Sequence, residues 1–257
     1  AAQAEGGRFI LRIEDIDTAR CRPEFEAAIY EDLAWLGLTW ETPVRRQSEH
    51  LADYHAALER LREAGLVYRC FRTRKEVLDE IARAPHGLGE AFHGAPLPAA
   101  EEAARLASGA PFAWRLSLDA ARRRLGEARW KSLSFVEEGS GPDGERGLVV
   151  AAPDAAGDVV LARKDVGVAY HLAVVVDDAL QGISHVIRGC DLFEATPIQR
   201  LLQELLDLPA PTYRHHRLLL GPDGKRFAKR DKAETLSEIR AGGVSPAELR
   251  DQIATQA

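Results

Sequence analysis

An α/β fold interrupted by an inserted α+β segment is what this 257-residue sequence predicts, from three observations. Residues Phe9–Ile13, FILRI, make an apolar run that reads as a buried strand, followed by two helical patterns. Between Asp158 and Thr196 a segment of helical period runs into a short apolar strand that is followed by Arg188 and Gly189. Between these halves, residues 67–157 turn to short, mixed elements separated by Gly- and Pro-rich stretches.

In order, Ala1–Glu5 reads as a helix end stopped by Gly6 and Gly7. The strand Phe9–Ile13 runs into Glu14, Asp15 and Asp17. Such a crowd of carboxylates must be solvated, paired or used on a ligand, and Asp17 or Thr18 can also cap the next helix. That helix carries Pro23 in its first turn and an apolar stripe of Phe25, Ala28, Ile29, Leu33 and Leu36. A second helix covers Leu51–Ala64 and stops at Gly65. Further helices are expected at Arg74–Arg83 and Glu101–Leu106, and strands at Ala113–Leu118, Ser132–Val136 and Val159–Leu161. His86–Pro98 and the interval 139–157 read as loops.

Val174–Val176 favours a strand by β-branching, yet Tyr170, Ala173, Val174 and Asp177 follow the spacing of one helix face. A helix ending near Gly182 and a strand at Ser184–Ile187 are predicted, with Tyr170 and Val174 one turn apart and facing one ligand. Arg188 just past that strand sits where α/β sheets place ligand-binding groups. A satisfied surface arginine fits the same position, and a solvated helix end fits Asp177 and Asp178. A helix at Gln199–Leu206 precedes YRHHRLLL, a GPDG turn and the cluster Lys225, Arg226, Lys229 and Arg230, which suits either phosphate contact or a solvated surface. The end, Glu234–Ile253, is helical with a break at Gly242-Gly243 and Ser245 as N-cap.

The composition is that of a soluble globular protein. A net charge of −6 means that nucleic acid would need a local basic patch. No apolar run approaches membrane-spanning length and no signal peptide is visible. Cys21, Cys70 and Cys190 do not form a disulfide framework and suit a reducing cytoplasm. The chain has no Met and opens on Ala1, so a natural start is expected to be missing.

Three stretches together resemble the class I glutamyl-tRNA synthetases: LRIEDIDTARCRPEFEAAIYEDLAWLGLTWE (Leu11–Glu41), YHLAVVVDDALQGISHVIRGCDL (Tyr170–Leu192) and KRFAKR (Lys225–Arg230). Within them the likeness is greatest to the short paralogues that glutamylate tRNA(Asp). The resemblance implies a class I aminoacyl-tRNA synthetase Rossmann-type catalytic domain, an α+β connective insertion and a C-terminal helical region like a stem-contact domain. The parts would be 1–66 and 158–210 for the catalytic domain, 67–157 for the insertion, and 211–257 for the KMSKS-like loop and helices. It also implies activation of L-glutamate by ATP with Mg2+, then transfer to the queuosine base in the tRNA(Asp) anticodon loop, by a cytoplasmic monomer. Glu14 matches the carboxylate that holds the substrate ammonium. Tyr170 and Arg188 match the glutamate pocket, with Arg188 on a substrate carboxylate. In the KMSKS-like loop Arg226, Phe227, Ala228, Lys229 and Arg230, catalytic Lys229 and Arg226 would steady ATP phosphates.

Departures accompany the likeness. The opening strand and HIGH-type motif would lie before Ala1, so the chain as given is expected to be weakly active or inactive. The family's zinc region keeps only Cys70. Arg72 stands where a second cysteine is usual, Phe92 and its neighbours offer no Tyr or Cys, and His86 and His93 make a poor tetrahedral set, so no zinc is expected. Ala228 replaces a serine in the loop. Early termination and Val174 favour the tRNA-modifying paralogue over a fragment of a 3′-end synthetase; a non-catalytic tRNA- or glutamate-binding module is the other alternative.

Overall fold

Strand pairing needs a neighbour, and the first apolar run finds one for only two of its residues. The computed structural model describes every residue except 18–20, 84–90, 164–166, 221–234 and 257, and side chains at 80–83 and 254–256 are likewise not described. The chain divides into two compact units, 1–50 with 216–257, and 51–215.

The first unit begins with a 3-10 turn at Ala2–Glu5 closed by Gly6, whose φ of 66° places it in the left-handed region. Strand β1 (Arg12–Ile13) follows, then helix α1 (Pro23–Trp35) and strand β2 (Arg45–Arg46). β1 and β2 are parallel, with Arg12 opposite Arg45 and Ile13 opposite Arg46. The strand expected from Phe9 is therefore shorter, because residues 9–11 pair with no strand among the described residues. Pro23 opens α1 as expected. Its N-cap is Arg22, without a side-chain hydrogen bond, so Asp17 does not cap it; Thr18 lies outside the described residues. The stripe on α1 buries nothing fully, and Phe25 and Ile29 stay 43% and 42% exposed.

The second unit contains helix α2 (Leu51–Glu63), strand β3 (Val67–Cys70), helices α3 (Arg74–Arg83) and α4 (Ala99–Ala107), and strand β4 (Ala113–Leu116). β4 stops two residues short of expectation because Ser117 leaves the ladder. Its Oγ accepts the Ala120 N–H (3.2 Å) as N-cap of helix α5 (Leu118–Leu125). Helix α6 (Glu127–Ser132) and strands β5 (Ser134–Glu137) and β6 (Gly147–Val150) come next. β6 and a 3-10 turn at Pro153–Ala156 occupy part of the stretch read as loop. GLVV shows no alternation, and its strand state comes from antiparallel pairing with β5. Strands β7 (Val160–Arg163) and β8 (Gly167–Val168), helix α7 (Tyr170–Leu180), strand β9 (His185–Gly189), helix α8 (Thr196–Leu205) and strand β10 (Thr212–His216) complete the order. The helix at 170–180 agrees with the spacing argument. Arg188, however, lies within β9 rather than beyond a strand.

Two four-stranded sheets result. One has the order β3-β4-β7-β8, all antiparallel. The other has the order β6-β5-β10-β9, with β10 parallel to β5 and Tyr213 opposite Glu137. So two strands from the 67–157 stretch share a sheet with two from beyond it. Helix α7 is buried along Leu172–Asp177, and α8 buries Ile198, Leu201 and Leu202. Asp177 is fully buried, and the Tyr54 hydroxyl of α2 donates to both its carboxylate oxygens at 2.9 Å. It is thus neither a solvated helix end nor an open ligand group.

Back in the first unit, helix α9 (Leu236–Ala241) starts on a capping box of Thr235 and Glu238. Helix α10 (Pro246–Gln256) starts after Ser245, whose Oγ accepts the Glu248 N–H at 3.3 Å, as the N-cap reading requires. Arg240 of α9 reaches Glu31 of α1 at 3.2 Å, and Arg250 of α10 donates to the Leu36 carbonyl at 3.0 Å. Among the described residues no helix is long and apolar enough to cross a membrane.

Tyr54→Phe removes the hydroxyl that Asp177 accepts in a dry α2–α7 contact. Urea denaturation is expected to show a loss of about 1.5–3 kcal/mol, the range for a hydrogen bond to a charged group. An unchanged midpoint would show that Asp177 does not depend on it.

Candidate functional site

Arg188 stands on the edge strand β9, part-buried beside strand β10 and the first turns of α8. Its Nε donates to His215 Nε2 (3.0 Å), one terminal nitrogen donates to Gln199 Oε1 (2.8 Å), and the other donates to Thr196 Oγ1 (2.7 Å). The guanidinium also stands over the Tyr213 ring, 5.1 Å from its centroid. A guanidinium has five N–H groups. Three are used here, which leaves one on each terminal nitrogen. Those two remaining N–H groups are the pair that can grip a carboxylate in a fork. No described carboxylate lies within ion-pair distance of Arg188.

Charge compensation comes one residue removed. The Arg188 Nε–H can only donate, so His215 Nε2 must accept and its proton must sit on Nδ1. That Nδ1–H then donates to Glu137 Oε2 at 2.5 Å, with both side chains 0% exposed. The other carboxylate oxygen accepts the backbone N–H groups of His215 (2.9 Å) and Gly139 (2.7 Å). Gly139 admits no side chain, because a Cβ there would lie 2.0 Å from the His215 carbonyl oxygen. Glu137, His215 and Arg188 thus form a relay that fixes one imidazole tautomer and one guanidinium orientation. Tyr213 stacks on His215 with centroids 6.0 Å apart, and burial pushes its phenol up to about 12.

Tyr170 is the first residue of α7 and half-buried, its ring edge-on to His171 at 5.7 Å. Val174 is 5% exposed and belongs to the core. Tyr170 and Arg188 lie in the second unit, whereas Glu14 lies in the first, directly after β1, with Arg12 Nε 3.7 Å from its carboxylate. Asp15 is used structurally and accepts from both the Ser48 N–H (2.9 Å) and its hydroxyl (2.7 Å). Arg226, Phe227, Ala228, Lys229 and Arg230 fall outside the described residues. The sequence reading missed Glu137, His215, Gln199 and Thr196. The one signal was the HH pair in YRHHRLLL, but period 2 alone does not tell the buried His215 from the exposed His216.

Among the described residues, the Cys70 region is packed by apolar and aromatic side chains. Cys70 is buried with Tyr68, Val77 and Phe92. Arg72 and Arg115 stand over the Phe92 ring at 5.6 and 4.7 Å. The buried Asp158 carboxylate accepts the Tyr68 hydroxyl (2.8 Å) and the N–H groups of Gly94 (2.9 Å) and Leu118 (2.9 Å). It thereby links β3, the 91–98 segment and the first turn of α5. Burial, and then Asp158, raise the Tyr68 pKa. At Gly157 φ is +64° and a Cβ would lie 2.5 Å from the Phe92 carbonyl oxygen, so only glycine fits that approach. Among the described residues no three His, Cys, Asp or Glu gather as a metal site, and His93 is exposed; the residues present do not fit a zinc ion.

Comparison with known proteins places these features in a family. The family described as "tRNA synthetases class I (E and Q), catalytic domain" matches residues 1–117 and 136–255. The glutamyl-Q tRNA(Asp) synthetase of Rhodobacter capsulatus is 46% identical over 97% of this chain and 88% of its own length. That of Symbiobacterium thermophilum is 42% identical over 95% of this chain and 75% of its own. The glutamate-tRNA synthetase structure from Elizabethkingia anophelis superposes with a TM-score of 0.68 and 28% identity. It matches 88% of this chain, which spans 46% of that longer one.

Burial, and secondarily the Arg188 cation, hold the His171 imidazolium pKa below its ordinary 6.5. A depressed folded-state pKa makes the unfolded state bind protons first as pH falls. Its stabilising contribution is therefore present above pH 6.5 and is lost as pH falls through the folded-state value. An NMR titration of the ring is expected to give a midpoint below 6.5; one above it would contradict this environment.

Proposed function

The chain belongs to the class I tRNA synthetases of the E and Q type, aminoacyl-tRNA synthetase-like ligases, and from that premise we propose that it activates L-glutamate with ATP and glutamylates tRNA(Asp). The observation that carries the reading is the Arg188 fork, held by His215, Gln199 and Thr196 with two N–H groups to spare. A guanidinium so fixed suits a planar carboxylate, and glutamate brings two.

In the first step a glutamate carboxylate oxygen attacks the α-phosphorus of ATP, and the bond to pyrophosphate breaks. In the second a hydroxyl of the queuosine base attacks the acyl carbon, and AMP departs with the bonding electrons. Arg188 and Tyr170 bind the amino acid, and Glu14 takes its ammonium group. Lys229, with Arg226 in the same loop, counters charge on the phosphates. Mg2+ would accompany ATP. Residues 1–66 and 158–210 serve as the catalytic parts, 67–157 as the connective insertion and 211–257 as loop and helical region. The high share of the two tRNA(Asp)-specific relatives covered by this chain supports the tRNA-modifying reading.

Glutamate-dependent ATP–pyrophosphate exchange without tRNA tests the first step, on this chain and on one with a family-type opening segment joined before Ala1. Charging of tRNA(Asp) against tRNA(Glu) tests the second. Arg188→Ala is expected to raise the glutamate requirement by about 2–5 kcal/mol, or roughly 30- to 5,000-fold, and Arg188→Lys to restore only part of it. Lys229→Ala should lower kcat with little change in the glutamate KM. An unchanged glutamate dependence in Arg188→Ala would remove Arg188 from the pocket, and preference for tRNA(Glu) would replace tRNA(Asp) as substrate.

We further propose that no zinc braces the insertion, whose Cys70 region is held by Phe92 and Asp158. Elemental analysis is expected to find less than stoichiometric zinc, and a chelator to leave the melting temperature unchanged. One zinc per chain, or chelator-induced melting, would overturn this.

A further inference from the structure

Glu137 ends β5, within the 67–157 stretch, whereas Arg188 and His215 stand on β9 and β10. Parallel pairing sets Glu137 opposite Tyr213. The chain beyond it stays on β10, because the Glu138 N–H donates to the Tyr213 carbonyl at 2.8 Å and the Ser140 N–H to the His215 carbonyl at 3.2 Å. The backbone thus carries a buried carboxylate to a buried imidazole. A buried ionic contact is weak evidence for stability, since apolar groups of the same size pack as well or better. The question is therefore what this carboxylate positions.

The imidazole between Glu137 and Arg188 is confined. The Tyr213 ring lies 6.0 Å away with its plane 7° from that of His215, and the Phe193 ring meets it edge-on at 5.1 Å. The two ring nitrogens face groups of fixed character. A carboxylate only accepts and a guanidinium only donates. A single proton on Nδ1 answers both neighbours, and a proton on Nε2 answers neither. Thr196 and Gln199 hold the terminal nitrogens of Arg188, and His215 holds Nε. The orientation of the guanidinium fork is therefore set jointly from helix α8 and from the proton on His215.

We infer that Glu137 and His215 are positioning residues for amino-acid binding: Glu137 fixes the proton on His215 Nδ1, and His215 in turn aims the two spare N–H groups of Arg188 at a substrate carboxylate. A residue of the 67–157 insertion thereby sets the glutamate affinity of a site to which it lends no direct contact. The inference rests on the proposed amino-acid role of Arg188.

The test reads tautomer, affinity and stability separately. Nitrogen NMR of the His215 ring, in the chain as it stands, is expected to show the proton on Nδ1. In Glu137→Gln the backbone N–H groups of His215 and Gly139 keep the amide oxygen on their side. The amide N–H groups then face Nδ1, and the ring proton moves to Nε2, against the Arg188 Nε–H. Binding of L-glutamate, titrated by NMR without ATP or tRNA, is expected to weaken roughly 10- to 150-fold, the equivalent of one hydrogen bond to a charged group. In glutamate-dependent exchange the same variant should raise the glutamate KM and leave kcat nearly unchanged.

Two variants of His215 separate positioning from packing, and they serve equally if Glu137→Gln does not fold. His215→Gln places an amide oxygen where Nε2 stood, so it still accepts from Arg188 but leaves Glu137 without its side-chain donor. His215→Asn places an amide N–H where Nδ1 stood, so it still answers Glu137 but leaves the Arg188 Nε–H unmet. Melting temperature is expected to favour His215→Asn, and glutamate affinity to favour His215→Gln. Affinity that follows melting temperature instead, wild-type affinity in Glu137→Gln, or a wild-type proton on Nε2 would each overturn the inference. A wild-type chain that binds no glutamate overturns the amino-acid role of Arg188 and this inference with it, and the tautomer measurements distinguish that failure from a failure of the relay.

Discussion

A cation held in a fold without a carboxylate in direct contact is the constraint on which the Arg188 site depends. Burying a charge is costly unless its hydrogen bonds are met and an opposite charge lies near. Here the opposite charge is Glu137, placed one imidazole away. A direct Glu–Arg pair would occupy the terminal N–H groups that are left unused here. Interposing His215 keeps compensation close, uses only Nε, and leaves the terminal nitrogens to neutral Gln199 and Thr196. Glu137, His215 and the pair Thr196 and Gln199 come from three elements, so strand β5, strand β10 and helix α8 must all be in register for the arginine to be held.

Buried carboxylates organise the rest of the second unit in the same manner. Asp177 ties α7 to α2 through the Tyr54 hydroxyl, and Asp158 gathers donors from β3, the 91–98 segment and α5. Each sits at the meeting of elements far apart in sequence, and its cost in lost hydration is offset only when all of them have arrived. Such nodes specify one arrangement because no looser packing satisfies the acid. The aromatic ring of Phe92 is buried among Tyr68, Cys70 and Val77 and lies beneath the guanidinium groups of Arg72 and Arg115.

Much of the local structure was legible in the residues. Tyr170 to Leu180 is a helix because its apolar positions recur with helical period, despite three adjacent valines, and Arg74–Arg83 and the Ser245 cap follow the same local rules. Arg188 and Tyr170 stood out as polar groups beside buried runs. What local pattern did not contain was partnership. Phe9–Leu11 look like strand but have no ladder neighbour among the described residues, whereas Leu148–Val150 show no alternation and pair all the same. The His215–Glu137 contact joins residues 78 apart, and no spacing rule spans that distance. The sequence by itself determined the helical period and the Ser245 cap, because these depend on neighbours within a turn or two. The tertiary structure alone decided which histidine faces inward, which aspartates are structural and which N–H groups of Arg188 are already used, because burial and hydrogen-bond satisfaction depend on elements brought together only by folding.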